Sequence, residues 1–324
     1  MPRLLIAVLA LLASACTTQE DVHETRFIMG TLVEFTIAAQ DSDQAAPAIA
    51  AAAAEMQRIE DAFTIYGDHP NAVKTFNASA PGTPVRLPDE VASLLTLALQ
   101  VKQQSGGAFD PALGKLNLLW GFSIDPPPTT PPNPDAIKAA IPPTRCIGKR
   151  GNQWLRTDAR CLLDFGAIAK GYAIDRGIAV LRKHGISNAI INAGGDIRLI
   201  GSHGQRPWRI GIRHPRNRND VIASLELHGD VSIVTSGDYE RFFIENGKRY
   251  HHLINPKTGW PANDTQSATI IADSAALADA WSTALFIQGK EGIKRLQGMK
   301  LKTMLVDQNG KIFGALNRAD QGSR

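Results

Sequence analysis

Asp279 and Thr283 stand four residues apart in Ala278-Asp279-Ala280-Trp281-Ser282-Thr283. On a helix that spacing puts a carboxylate and a hydroxyl on one face. These are hard oxygen donors of the kind Mg²⁺ accepts alongside substrate phosphates, although the same pair can serve as local helix hydrogen-bonding groups. His251 and His252 are neighbours, so on a strand they face opposite ways and only one can enter a site. An imidazole there could take a proton or steer a nucleophile. Gly106-Gly107, Gly166, Gly171, Gly194-Gly195 and Gly237 fall where strands or helices should end. Such junctions let backbone amides approach a phosphate, and each alone also reads as an ordinary turn. Neither G-x-G-x-x-G nor the Walker pattern occurs at them, which disfavours a Rossmann dehydrogenase or a P-loop kinase. Lys257-Thr258-Gly259 matches the K-T-G of penicillin-recognising serine enzymes, but no Ser has Lys three residues later to supply the nucleophile.

The elements that must position these residues follow from periodicity and turn signals. Residues 26–39 read as one strand containing Met29-Gly30-Thr31, and residues 44–63 as an Ala-rich helix followed by a loop around Tyr66. Residues 89–105 form a helix stopped by Gly106-Gly107, and Phe109-Asp110-Pro111 opens the next element. Residues 126–134 are dominated by proline and make a surface connection. Residues 162–165 read as a strand running into Gly166-Ala167-Ile168-Ala169-Lys170-Gly171, with a helix over 172–184 ended by Gly185. A strand over 189–192 ends in Ala193-Gly194-Gly195-Asp196, strands alternate to about Asn255, and residues 274–288 form a helix capped by Asp273 or Ser274. Strands and helices mixed without strict alternation predict an α+β fold of mixed sheets with packed helices.

The chain of 324 residues, 44% hydrophobic and 20% charged, is long enough to bury a sizeable core. Its 35 Lys and Arg against 31 Asp and Glu leave a net charge of +4 with no basic run, so nucleic-acid binding gains no support. Residues 1–15 have the order of a secretory signal: Arg3, an apolar stretch too short to span a bilayer, then Ala13-Ser14-Ala15 ahead of Cys16. The segment resembles a bacterial lipoprotein signal, with Cys16 as the lipid-modified residue; a plain signal cut near Ala15 is the alternative. Export leaves Cys146 and Cys161 as a pair in an oxidising compartment. Two short strands around Lys149-Arg150-Gly151-Asn152 would bring them together as a disulfide, or they remain separate thiols.

Taken in order, the motifs resemble those of the ApbE family of FAD:protein FMN transferases. They are Met29-Gly30-Thr31, Gly107-Ala108-Phe109-Asp110-Pro111, Leu119-Trp120-Gly121-Phe122, Asp164 to Gly171 with Tyr172 and Asp175, Asn192-Ala193-Gly194-Gly195-Asp196, Thr235-Ser236-Gly237-Asp238-Tyr239, His252 to Gly259 and Ala278 to Thr283. The resemblance implies an ApbE-like fold with its active site in a cleft. It also implies Mg²⁺-dependent transfer of FMN from FAD to a Thr or Ser hydroxyl of a target protein, with release of AMP. It matches Met29, Tyr66, Ala108, Phe109, Asp110, Asp164, Lys170 and Ile254 to the FAD site, and the Ala167 carbonyl, Asp279 and Thr283 to Mg²⁺. His252 matches the histidine that activates the acceptor hydroxyl. Ser282 departs from members with Asp there, which implies weaker Mg²⁺ binding without FAD. Tyr66 replaces the Asn of members that hydrolyse FAD, which favours transfer. The resemblance further implies a leader over 1–15, a lipidated tether over 16–25, a catalytic domain over 26–318 and a polar tail over 319–324. The enzyme would be membrane-anchored and face the periplasm. Its acceptors would be subunits of sodium-pumping NADH:quinone oxidoreductase or Rnf-type complexes, with FAD pyrophosphatase or flavin-binding lipoprotein as alternatives.

Overall fold

The computed structural model describes residues 20–299, 301–314 and 316. The leader, Cys16 and the polar tail lie outside the described residues. Strands β1 (Val22–Ile28) and β2 (Thr31–Ile37) form a hairpin in which Ile28 faces Thr31. The single strand expected over 26–39 is therefore broken at Met29-Gly30, both of which are left-handed, with φ of 58° and 65°. Left-handed backbone is costly for a methionine. The Met29 amide donates to the Glu60 carboxylate at 2.8 Å, which ties the turn to the helix that follows.

That helix, α1 (Ala45–Phe63), precedes α2 (Ala72–Ala78), α3 (Asp89–Gln104), α4 (Gly114–Trp120) and α5 (Pro134–Ala140). A short hairpin of β3 (Ile147–Arg150) and β4 (Gln153–Arg156) comes next, then α6 (Ala169–Lys183), β5 (Ala189–Ala193) and β6 (Asp196–Ile200). The strands β7 (Trp208–Arg213), β8 (Val221–Leu227), β9 (Val231–Gly237), β10 (Phe242–Glu245), β11 (Lys248–His251) and β12 (Thr265–Ala272) run on to α7 (Ala275–Gln288). Helix α8 (Lys290–Leu296) and the strands β13 (Lys302–Asp307) and β14 (Ile312–Phe313) complete the described fold.

Eight strands form one antiparallel sheet in the order β1-β2-β5-β6-β9-β12-β13-β14. Alternation decides its two faces. Val33, Phe35 and Ile37 of β2, Ile191 of β5 and Ile270 of β12 share a core with α1, α6 and α7. Leu199, Ile233, Ile271 and Met304 turn the other way, under Trp208, Ile210, Ile212 and Leu225 of the β7–β8 hairpin. Every residue of β12 is buried because both faces of this central strand are covered. The fold is α+β, as mixed strands and helices predict.

Two local expectations need correction. Residues 162–165 are not a strand: apart from a single bridge between Leu113 and Leu162 they pair with no neighbour. Their backbone groups are taken otherwise, with the Asn77 side chain bonding both the N–H and the C=O of Leu163 at 2.7 and 2.8 Å. Pro134, grouped with the proline-rich connection, opens α5, where Asn133 caps it. Among the described residues no helix is long and apolar enough to cross a membrane.

Cys146 and Cys161, flanking the β3–β4 hairpin, are joined as a disulfide with Cα atoms 5.4 Å apart. Replacing both with serine should lower the free energy of unfolding by about 3 kcal/mol at most, from the chain entropy of so short a loop. Urea denaturation checks the size. Non-reducing mass analysis of the unmodified protein should find the pair two hydrogens lighter, and two free thiols after export would overturn the pairing.

Candidate active site

Helices α6 and α7 cross at Gly171, where a Cβ would lie 2.2 Å from the Ala275 carbonyl oxygen. Only glycine permits that approach, and it lets the Gly171 amide donate to the Asp279 carboxylate at 3.0 Å. Four residues later, Asp175 caps the start of α7, accepting from the Ser274 hydroxyl at 2.8 Å and from the amides of Ala275 and Ala276 at 2.8 and 3.1 Å. A carboxylate on those free N–H groups stabilises the helix end and its dipole. The first two turns of α6 thus aim α7, and with it Asp279 and Thr283, into a cavity of about 520 Å³, within the usual range for substrate clefts.

Every residue matched to FAD, to metal or to catalysis lines this one cavity: Met29, Tyr66, Ala108, Phe109, Asp110, Asp164, Ala167, Lys170, His252, Ile254, Asp279 and Thr283. The Met29-Gly30 turn lines it together with Glu60, the residue that holds the turn. Asp110 is paired with Lys102 at 2.7 Å, and Asp164 accepts from Asn117 at 2.7 Å and from the Gly166 amide at 2.8 Å. Burial, and then the charge of Asp164, push the Tyr66 phenol up to about 12. It stays neutral, a flat apolar plate with a polar end.

Lys170 lies in the first turn of α6, not in the loop before it, and forms an ion pair of 2.8 Å with Asp196. Burial works against its charge, but Asp196 and Asp279 outweigh burial and hold the ammonium above its ordinary range. Burial and then Asp196 hold the Asp279 carboxyl above the usual carboxylate range, against the pull of Lys170. Among the described residues no group of three or more His, Cys, Asp or Glu is arranged for a metal. The cavity lining instead holds the Asp279 carboxylate, the Thr283 hydroxyl and Ala167.

The two histidines part as expected from adjacent strand positions. His251 turns into the core, its Nε2 2.7 Å from the Ala262 carbonyl, and burial pushes it down to about 4. His252, half-buried, lines the cavity, and burial, then Arg241, push it down to about 3. Its imidazole is neutral at physiological pH and keeps an unprotonated ring nitrogen, although the burial that keeps it so also makes it a weaker base than a free histidine.

Ser282 does not line the cavity. It is fully buried, its hydroxyl donating to the Asp279 carbonyl at 2.8 Å and lying 2.7 Å from the Ser236 hydroxyl, which does line it. Residues that the sequence reading left unassigned also line the wall: Glu60, Asn117, Ser123, Asp196, Thr235 and Arg241. Asp196 had a signal, since it ends the Ala193-Gly194-Gly195-Asp196 turn. Thr235 likewise opens the motif Thr235-Ser236-Gly237-Asp238-Tyr239, whereas Glu60, Asn117, Ser123 and Arg241 lie outside the motifs.

The ApbE family model matches residues 29–305. A protein of Rhodobacter capsulatus called FAD:protein FMN transferase is 33% identical over 300 residues, which cover 90% of this chain and 57% of that one. Another of that name from Treponema pallidum is 38% identical over 243 residues, covering 68% of this chain and 66% of its own. The chain thus spans less than two thirds of the length of these two relatives. The crystal structure of the ApbE protein from Thermotoga maritima superimposes with a TM-score of 0.82 at 33% identity, over 91% of this chain and 97% of that one.

Proposed function

The chain belongs to the ApbE family, and from that premise and the cavity we propose that it is an FAD:protein FMN transferase. The acceptor is a Thr or Ser hydroxyl of another protein. In this reaction the hydroxyl oxygen bonds to the phosphorus of the FMN half of FAD, the pyrophosphate P–O bond breaks, and AMP carries away the electron pair. The hydroxyl proton goes to His252. The observation that carries the reading is a neutral imidazole, a buried carboxylate and a half-buried hydroxyl four residues on, all lining one cavity with Lys170.

His252 takes the proton, its ring carrying an unprotonated nitrogen in the free protein. Lys170 places one positive charge where a pyrophosphate must lie, and Tyr66 offers a face for an aromatic ring. The donor set of Asp279, Thr283 and the Ala167 carbonyl suits Mg²⁺, which takes one or two carboxylates and keeps sites for phosphate oxygens. When bound, Mg²⁺ supplies charge compensation for the leaving phosphate. The same reading makes Cys16 the lipid anchor of an enzyme facing the periplasm. Its acceptors are subunits of sodium-pumping NADH:quinone oxidoreductase or Rnf-type complexes.

The test is incubation with FAD, Mg²⁺ and a domain of such a subunit carrying Asp-x-x-Thr/Ser-Gly-Ala-Thr/Ser. The acceptor should gain the mass of FMN less water, with AMP in equal amount. AMP without acceptor modification would make the chain a pyrophosphatase. FAD binding with neither product would make it a flavin-binding protein.

A further inference from the structure

Lys170 and Asp279 are neighbours across the crossing of α6 and α7. The Gly171 amide, one peptide bond from Lys170, donates to the Asp279 carboxylate at 3.0 Å. That places the carboxylate within reach of a lysine side chain that rotates toward it. A direct ion pair would consume the carboxylate that α7 contributes to the cavity wall. Instead Lys170 Nζ lies 2.8 Å from Asp196 Oδ2.

Asp196 is itself built into place. Its side chain is only 3% exposed, and its other oxygen accepts from the Thr235 amide at 3.3 Å on the adjoining strand β9. It opens β6 immediately after the Gly194-Gly195 turn, whose φ values of 62° and 100° are glycine conformations. Its carboxylate is thus fixed from the sheet, while Lys170 and Asp279 approach from helices. Burying a second acid beside Asp279 costs desolvation, and is stable only with a cation on it. The arrangement separates one cation and two acids into a pair, Lys170–Asp196, and a remaining carboxylate, Asp279.

We propose that Asp196 is a positioning residue that holds Lys170 away from Asp279 and so keeps the Asp279 carboxylate available to a divalent cation. The inference rests on the metal reading of Asp279 and Thr283 above. It also explains why Lys170 can face the phosphates without closing the cation site beside it.

Counting free Mn²⁺ by electron paramagnetic resonance, with Mn²⁺ in place of Mg²⁺ and no FAD, tests it apart from activity. Asp196→Asn keeps an acceptor for the Thr235 amide but releases Lys170, and should weaken Mn²⁺ binding about tenfold, the usual size for a coupled buried pair. Adding Lys170→Gln should restore affinity to within about threefold of the parent, whereas Lys170→Gln alone should change it by less than about threefold. Equal effects of Lys170→Gln in both backgrounds would reduce Asp196 to one more nearby charge and overturn the proposal. If Asp196→Asn fails to fold, Lys170→Gln alone still decides, because tenfold tighter binding would show that Lys170 already competes for Asp279. Absence of Mn²⁺ binding by the parent, unchanged by Asp279→Ala, would instead defeat the metal reading itself.

Discussion

Asp279→Ala should abolish FMN transfer while leaving the protein folded. The variant removes the carboxylate among the proposed cation donors, leaving the Thr283 hydroxyl and the Ala167 carbonyl, neither of which carries charge. Loss of several kcal/mol of phosphate charge compensation corresponds to a fall of roughly 10³-fold or more. The fold should survive because the side chain is buried at 5% exposure among alanines and gives up one hydrogen bond, from the Gly171 amide. Linkage fixes the sign of the stability change. A carboxyl held above its unfolded value binds its proton more tightly when folded, so it costs stability as the pH rises from the unfolded range through the folded one. Thermal unfolding at pH 8 should therefore show the variant no less stable than the parent. Transfer at the parent's rate would remove Asp279 from the site, and a large drop in melting temperature would make its role structural.

Much of this site could be read from the sequence because the spacing within one element carried it. Asp279 and Thr283 share a helix face by their separation alone, and Ser274 announced the start of that helix by its type. Adjacent strand positions required His251 and His252 to part. What escaped was set by partners far along the chain. Asp175 caps a helix that starts about a hundred residues later, and Asp196 meets Lys170 only because β6 and α6 are brought together by the sheet. The Met29 turn escaped for another reason: methionine is no turn signal, and its left-handed backbone is held by Glu60 from α1. Residues 162–165 have the composition of a strand, yet Asn77 supplies the partners that a neighbouring strand would have provided. The Ser282 position shows the converse, since one face of a helix separates it from Thr283, and the motif gives no hint that its hydroxyl is spent against Ser236.

His252→Ala should keep FAD affinity within a few-fold yet slow transfer by ~10²–10⁴, the usual contribution of a positioned acid–base group. The Thr or Ser hydroxyl is a weak nucleophile at neutral pH, so its attack depends on a base, whereas binding FAD does not. The Arg241 carbonyl 3.4 Å from His252 Nδ1 can only accept, which favours a proton on Nδ1 and leaves Nε2 as the basic nitrogen. Because burial lowers this histidine to about 3, its neutral form persists far below pH 6. The pH–rate profile should therefore show no limb that belongs to His252, that is, none that disappears in His252→Ala. An acid limb should instead follow protonation of Asp279, held above the usual carboxylate range, and move to lower pH as Mg²⁺ is raised, since cation and proton compete for one carboxylate. Tyr66→Asn should act in the opposite sense to His252→Ala, raising release of free FMN and AMP without acceptor. Its half-buried phenol lies in the wall with Ser123 and Asp164, and the smaller amide would admit water there. Unchanged transfer in His252→Ala, or a limb near 6.5 that vanishes with that substitution, would reject the buried neutral base.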